Sequence, residues 1–95
     1  MKIVWLARAV ADRDAIVNII ARDSPRAARE QGDRIQASID LLSGIPEAGR
    51  QGRLGGTREK VLPRTPYVVI YRLSRDKIDV LRVLHGAQKW PPVEG

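Results

Sequence analysis

The sequence predicts an α+β fold: a helical hairpin packed on one face of a small, mainly antiparallel β-sheet. Three observations predict it. Apolar residues recur at helical spacing only in the first half of the chain, and β-branched and aromatic runs of strand character fill the second half. With 95 residues the chain is one small domain, 1–95. It buries about 60–65% of its unfolded surface and so has room for two layers rather than three.

The elements follow in order. KIVWL at 2–6 is short, β-branched and aromatic, as a strand is. In 9–22 the period changes: Ile16, Ile19 and Ile20 share one helical face, while Asp12, Arg13 and Asn18 point elsewhere. Asp23-Ser24-Pro25 ends that helix and starts another, with Ser24 suited to capping and Pro25 to the first helical position. Ala28, Ile35, Ile39 and Leu42 then form one apolar stripe that runs to Gly44. Two helices joined by so short a turn form a hairpin. Residues 44–56 hold five of the eight glycines and no periodicity, which predicts a loop carrying Arg50 and Arg53. TREKVL at 57–62 alternates weakly and reads as an edge or half-exposed strand. After Pro63 and Pro66, PYVVIYRL at 66–73 and KIDVLRVL at 77–84 are joined by Ser-Arg-Asp, a tight hairpin between antiparallel strands. The N-terminal strand is expected to join this sheet.

Regular alternation places Tyr67, Val69, Tyr71 and Leu73 on one side and Val68, Ile70 and Arg72 on the other. In the last strand Ile78, Val80 and Leu84 should then oppose Leu81, Val83 and His85. Both faces are substantially apolar, and a helical hairpin covers only one. A protein partner is therefore expected over the second, in preference to the loop 44–56 or the tail 91–95 folding back.

Charge is unevenly distributed. Residues 1–48 balance seven basic against seven acidic side chains, whereas residues 49–95 hold ten basic and four acidic, so the net +6 belongs to the second half. Such asymmetry points to an acidic partner, nucleic acid or an acidic protein segment. Cysteine is absent and histidine occurs once, which leaves no ligand set for a zinc site and predicts neither metal nor cofactor. Charges at Arg8, Asp12, Arg13 and Asp14 interrupt the first apolar stretch, so no signal peptide or membrane span is read, and a cytoplasmic protein without membrane association is expected.

The order strand, helical hairpin, Gly/Arg loop, three antiparallel strands resembles the RelE/ParE toxins of bacterial type II toxin–antitoxin modules. So do PEAGRQGR at 46–53, YVVIYR at 67–72 and RVLHGAQKW at 82–90. The resemblance spans essentially the whole chain. It implies a toxin held inactive by a cognate antitoxin that wraps it, covering the helical hairpin and the free sheet. The antitoxin would contact Ile35, Ile39, Leu42, Val68 and Ile70. RelE-like members of the family are ribosome-dependent mRNA endonucleases and carry an arginine after the first tyrosine of the YxxxY strand; here Val68 follows Tyr67. ParE-like members poison DNA gyrase, and a histidine ending the last strand is closer to their pattern. The expected target is thus DNA gyrase, with ribosome-bound mRNA as the alternative and a non-toxic basic binding module as a third reading.

A nuclease would need a base, an acid and cations around the phosphate, for which His85, Arg82 and Arg72 are the candidates, with Arg64 and Tyr71 as further contributors. Arg82 and His85, three apart on a strand, should face opposite sides, and no complete catalytic set assembles. A gyrase poison needs no acid–base pair, only a binding surface. That surface is expected at Arg82, His85, Gln88, Lys89 and Trp90, with Trp90 packed against the domain.

Overall fold

The computed structural model describes residues 1–91. Strand β1 (Lys2–Trp5) leads into helix α1 (Ala7–Ala21) and helix α2 (Pro25–Asp40), which ends in a single 3₁₀ turn over Leu41–Ser43. Four strands follow: β2 (Arg50–Gln51), β3 (Arg58–Val61), β4 (Tyr67–Ser74) and β5 (Lys77–His85). They form one sheet in the order β1-β5-β4-β3-β2. β1 runs parallel to β5 and every other pairing is antiparallel.

The local signals account for most of this. The Ala27 N–H donates to Ser24 Oγ at 3.1 Å, and Pro25 opens α2, so the cap falls where the sequence placed it. At Gly32, in mid-helix, an added Cβ would lie 3.3 Å from Val17 Cγ2, so glycine lets α1 and α2 approach closely. Two details differ from expectation. Arg50 and Gln51 pair with Glu59 and Arg58, so the predicted loop contains a two-residue strand and β3 is internal rather than an edge. Two residues carry no periodicity, which is why the pattern was silent there.

The core lies between the hairpin and one face of the sheet. It joins Ala9, Ile35, Ile39 and Leu42 to Leu62, Val69, Tyr71, Ile78, Val80 and Val83, with Ile3, Trp5 and Ile16 packed against them. Val83 lies in this core beside Ile78 and Val80, although strict alternation assigned it to the opposite side. The reason is a β-bulge: Ile70 pairs with Arg82 and Tyr71 with Val80, leaving Leu81 unpaired and shifting the rest of β5 by one residue. Val83 and His85 therefore face the helices, and Leu84 does not.

The antitoxin contacts expected on α2 require correction. Ile35, Ile39 and Leu42 are at most 1% exposed, because the one apolar stripe of α2 is consumed in packing on the sheet. The opposite, open face is corrected as well. Ile70 and Leu84 are already buried and Val68 half-buried, and the segment Gly86–Trp90 lies beside them, whereas the tail considered at 91–95 falls almost wholly outside the described residues. Trp90 lines a shallow groove there with Val61, Val68 and Ile70, and its carbonyl accepts from Arg53 Nη1 at 2.9 Å. The chain itself supplies part of the cover assigned to a partner.

Candidate functional site

β5 is flanked by β1 only along Lys77–Val80, so its last residues present a free edge. Two side chains close it. Asp12 of α1 accepts from the Val83 N–H at 2.9 Å, and Gln88 Oε1 accepts from the His85 N–H at 2.7 Å. Asp12 also takes a fork from Arg82, with Nε at 2.7 Å from Oδ2 and Nη2 at 3.0 Å from Oδ1. Hydrogen bonding to Asp12 raises the Arg82 pKa above the ordinary arginine range, against the opposing effect of burial. The guanidinium also lies 5.8 Å from the centroid of the Trp90 ring. Arg82 thus ties helix, strand edge and tail together.

His85 stands on the helix side, edge-on to Tyr67 with ring centroids 5.9 Å apart, and Nδ1 accepts from the Ala87 N–H at 3.0 Å. A neutral ring accepting at Nδ1 carries its proton on Nε2. His85, Gln88 and Lys89 are exposed, while Trp90 is half-buried with no acceptor for its indole N–H among the described residues.

The nuclease candidates do not converge. Arg72 pairs with Asp79 at 3.1 Å near the β4–β5 turn, whereas His85 pairs in register with Tyr67. Five residues of strand, about 17 Å, separate those positions. Arg82 and His85 project from opposite faces, and Arg82 is occupied by Asp12. The Tyr71 hydroxyl is buried, accepting from the Gly49 N–H and donating to the Pro46 carbonyl, both at 2.8 Å, so it anchors the 46–49 loop. Arg64 offers its backbone carbonyl to Arg34 at 3.5 Å. Among the described residues no cluster of histidine or carboxylates could hold a metal ion.

Sequence reasoning missed Asp12, which it read only as pointing away from the face of Ile16, Ile19 and Ile20. A cation in an otherwise apolar strand was the available signal, since a half-buried arginine calls for a carboxylate nearby.

Residues 3–90 match the family described as the ParE toxin of the type II toxin–antitoxin system, parDE. The chain belongs to the ParE toxin family. The toxin is 42% identical to toxin Y4kP of Sinorhizobium fredii over 97% of this chain and 95% of the relative. It is 32% identical to toxin RelE2 of Caulobacter vibrioides over 92% and 97%. Its fold superposes with a TM-score of 0.79 and 28% identity on a chain from the chromosomal ParDE toxin–antitoxin system of P. aeruginosa, covering 87% of this chain and 92% of that one. The family places the toxin in a type II toxin–antitoxin system. RelE and ParE names both occur among its relatives, so the names do not divide the two activities.

Proposed function

We propose that the toxin arrests growth by poisoning DNA gyrase and is neutralised by a cognate antitoxin. The observation that carries this reading is the engagement of its strongest chemical candidates in structure, Arg82 with Asp12 and Arg72 with Asp79, with His85 about 17 Å of strand away from Arg72. A poison that traps the topoisomerase with its DNA cleaved needs a surface and no proton transfer. His85, Gln88 and Lys89 supply the exposed part of that surface, and Arg82 and Trp90 support it from beneath.

The antitoxin's apolar side chains are assigned to a groove between α1 and the free end of β5, lined by Ala15, Ile16, Ile19, Ile20, Tyr67 and Val83. Ile19 is 59% exposed there, an apolar side chain without cover in the isolated toxin.

The deciding experiment pairs an in-vitro supercoiling assay with mapping of mRNA ends in cells expressing the toxin. Blocked supercoiling and broken DNA with intact transcripts are expected. Codon-phased mRNA cuts with normal supercoiling would replace this reading with the ribosome-dependent endonuclease, which the RelE-named relatives favour, and would return His85, Arg82 and Arg72 to catalytic roles.

A further inference from the structure

The open face of the sheet carries a charge pattern that the gyrase reading does not use. The strands hold two acidic side chains, Glu59 and Asp79, and both lie on this face, 5% and 3% exposed. Two cations flank each. Glu59 Oε1 has Arg50 Nη2 at 3.4 Å and Arg53 Nε at 4.0 Å; Asp79 has Arg72 Nε at 3.1 Å and Lys77 Nζ at 3.7 Å. One cation neutralises a buried carboxylate, so each cluster keeps a surplus positive charge. All four basic side chains remain between 47% and 69% exposed. Arg72 bonds Asp79 through Nε alone, which leaves its terminal nitrogens as donors for a phosphate.

The parallel register adds a fifth cation. It sets Lys2 directly against Lys77, and since Ile3 and Trp5 pack into the core, Lys2 shares the open face. Like charges facing each other across strands oppose folding, and an anion laid over the pair relieves that repulsion. From Lys2 on β1 to Arg50 on β2 the basic strip crosses four strand spacings, about 19 Å.

We propose that this face binds the phosphate backbone of duplex DNA without reading its sequence. Charge complementarity selects a polyanion. The aromatic residues select a duplex over a single strand, because unpaired bases need a ring to stack on. Tyr67 and Tyr71 lie on the helix side of the sheet, Tyr71 fully buried, and Trp90 is packed over the apolar end of the open face. The affinity is the toxin's own and goes beyond the gyrase reading, since it requires no target enzyme.

The test is fluorescence anisotropy of the full-length toxin with a labelled duplex of arbitrary sequence across a salt series. Binding at physiological salt is expected between about 10⁻⁴ and 10⁻⁶ M, weakening linearly in log–log form as salt rises. Lys2→Glu replaces the lysine–lysine repulsion with an ion pair, so the fold is retained. It should weaken duplex binding on the order of tenfold and flatten the salt slope by about two, through loss of one cation and neutralisation of Lys77. Arg29→Glu makes the same charge change at an exposed position on α2 and should leave both quantities unchanged. Equal losses in the two variants would reduce the effect to net charge and overturn the proposal. So would single-stranded RNA of equal length binding as tightly as the duplex, or no salt-dependent binding at all. With no gyrase in the assay, a failure here leaves the supercoiling experiment standing.

Discussion

Asp12 serves two groups at once, the Arg82 guanidinium and the Val83 amide, from a side chain only 17% exposed. Asp12→Asn keeps one acceptor oxygen and loses the charge. A drop of about 1.5–3 kcal/mol in unfolding free energy is expected, read as a lower urea midpoint at unchanged slope. Tyr71→Phe strips the partner from the buried Gly49 N–H and should lower stability by about 1–3 kcal/mol in the same measurement. Neither role was legible in the sequence. Asp12 was read only as pointing away from the apolar face of its helix, and Tyr71 as a further contributor to a nuclease site, because hydrogen bonds across seventy residues of chain for Asp12 and 22 and 25 for Tyr71 leave no local pattern. Ser24 is the contrast: its partner is three residues away, and the cap was read directly.

For α1 and β5, exposure separates function from stability. Ile19→Asp on α1 changes a side chain that the isolated toxin leaves exposed. It should weaken antitoxin binding at least tenfold in a calorimetric titration while shifting stability by about 0.5 kcal/mol or less. The same change at Ile35 or Ile39 would unfold the hairpin and report nothing about binding. At the end of β5, Lys89→Glu with Trp90→Ala should abolish toxicity in cells while sparing antitoxin binding in the same titration; persistent toxicity would move the target surface elsewhere. Periodicity located α2 and the β4–β5 hairpin to within a residue or two. It failed inside β5, where a single unpaired residue at Leu81 exchanged the faces of Val83 and Leu84. A bulge obeys the sheet's twist and its neighbours, and RVLH taken alone alternates as well with it as without it.

Over the whole molecule, the layer count and the antiparallel β4–β5 pairing followed from length, helix periodicity and turn chemistry, whereas the place of β1 beside β5 and the short β2 did not. Nor did the source of cover for the open face. Two apolar faces and one hairpin called for an outside partner, which the family supplies as an antitoxin, but Trp90 also packs beside Val68 and Ile70 and covers part of that face from within the chain. Charge was legible as an excess in the second half, whereas its arrangement around Glu59 and Asp79 emerged only once the strands were set side by side.

The parallel pairing of β1 with β5 fixes when this protein becomes itself. Lys2 to Trp5 can dock only against Lys77 to Val80, so the first strand synthesised waits for the last. Loop-closure entropy makes such an end-to-end contact late and slow compared with the helical hairpin, which needs only the 34 residues from Ala7 to Asp40. A nascent or prematurely terminated chain ending before β5 has helices but no closed sheet, no seat for Asp12 and no tail. Closure of the sheet therefore waits for β5, and a chain truncated before Lys77 is expected to lack the docked first strand and the amide that Asp12 accepts from, read as loss of the cooperative unfolding transition.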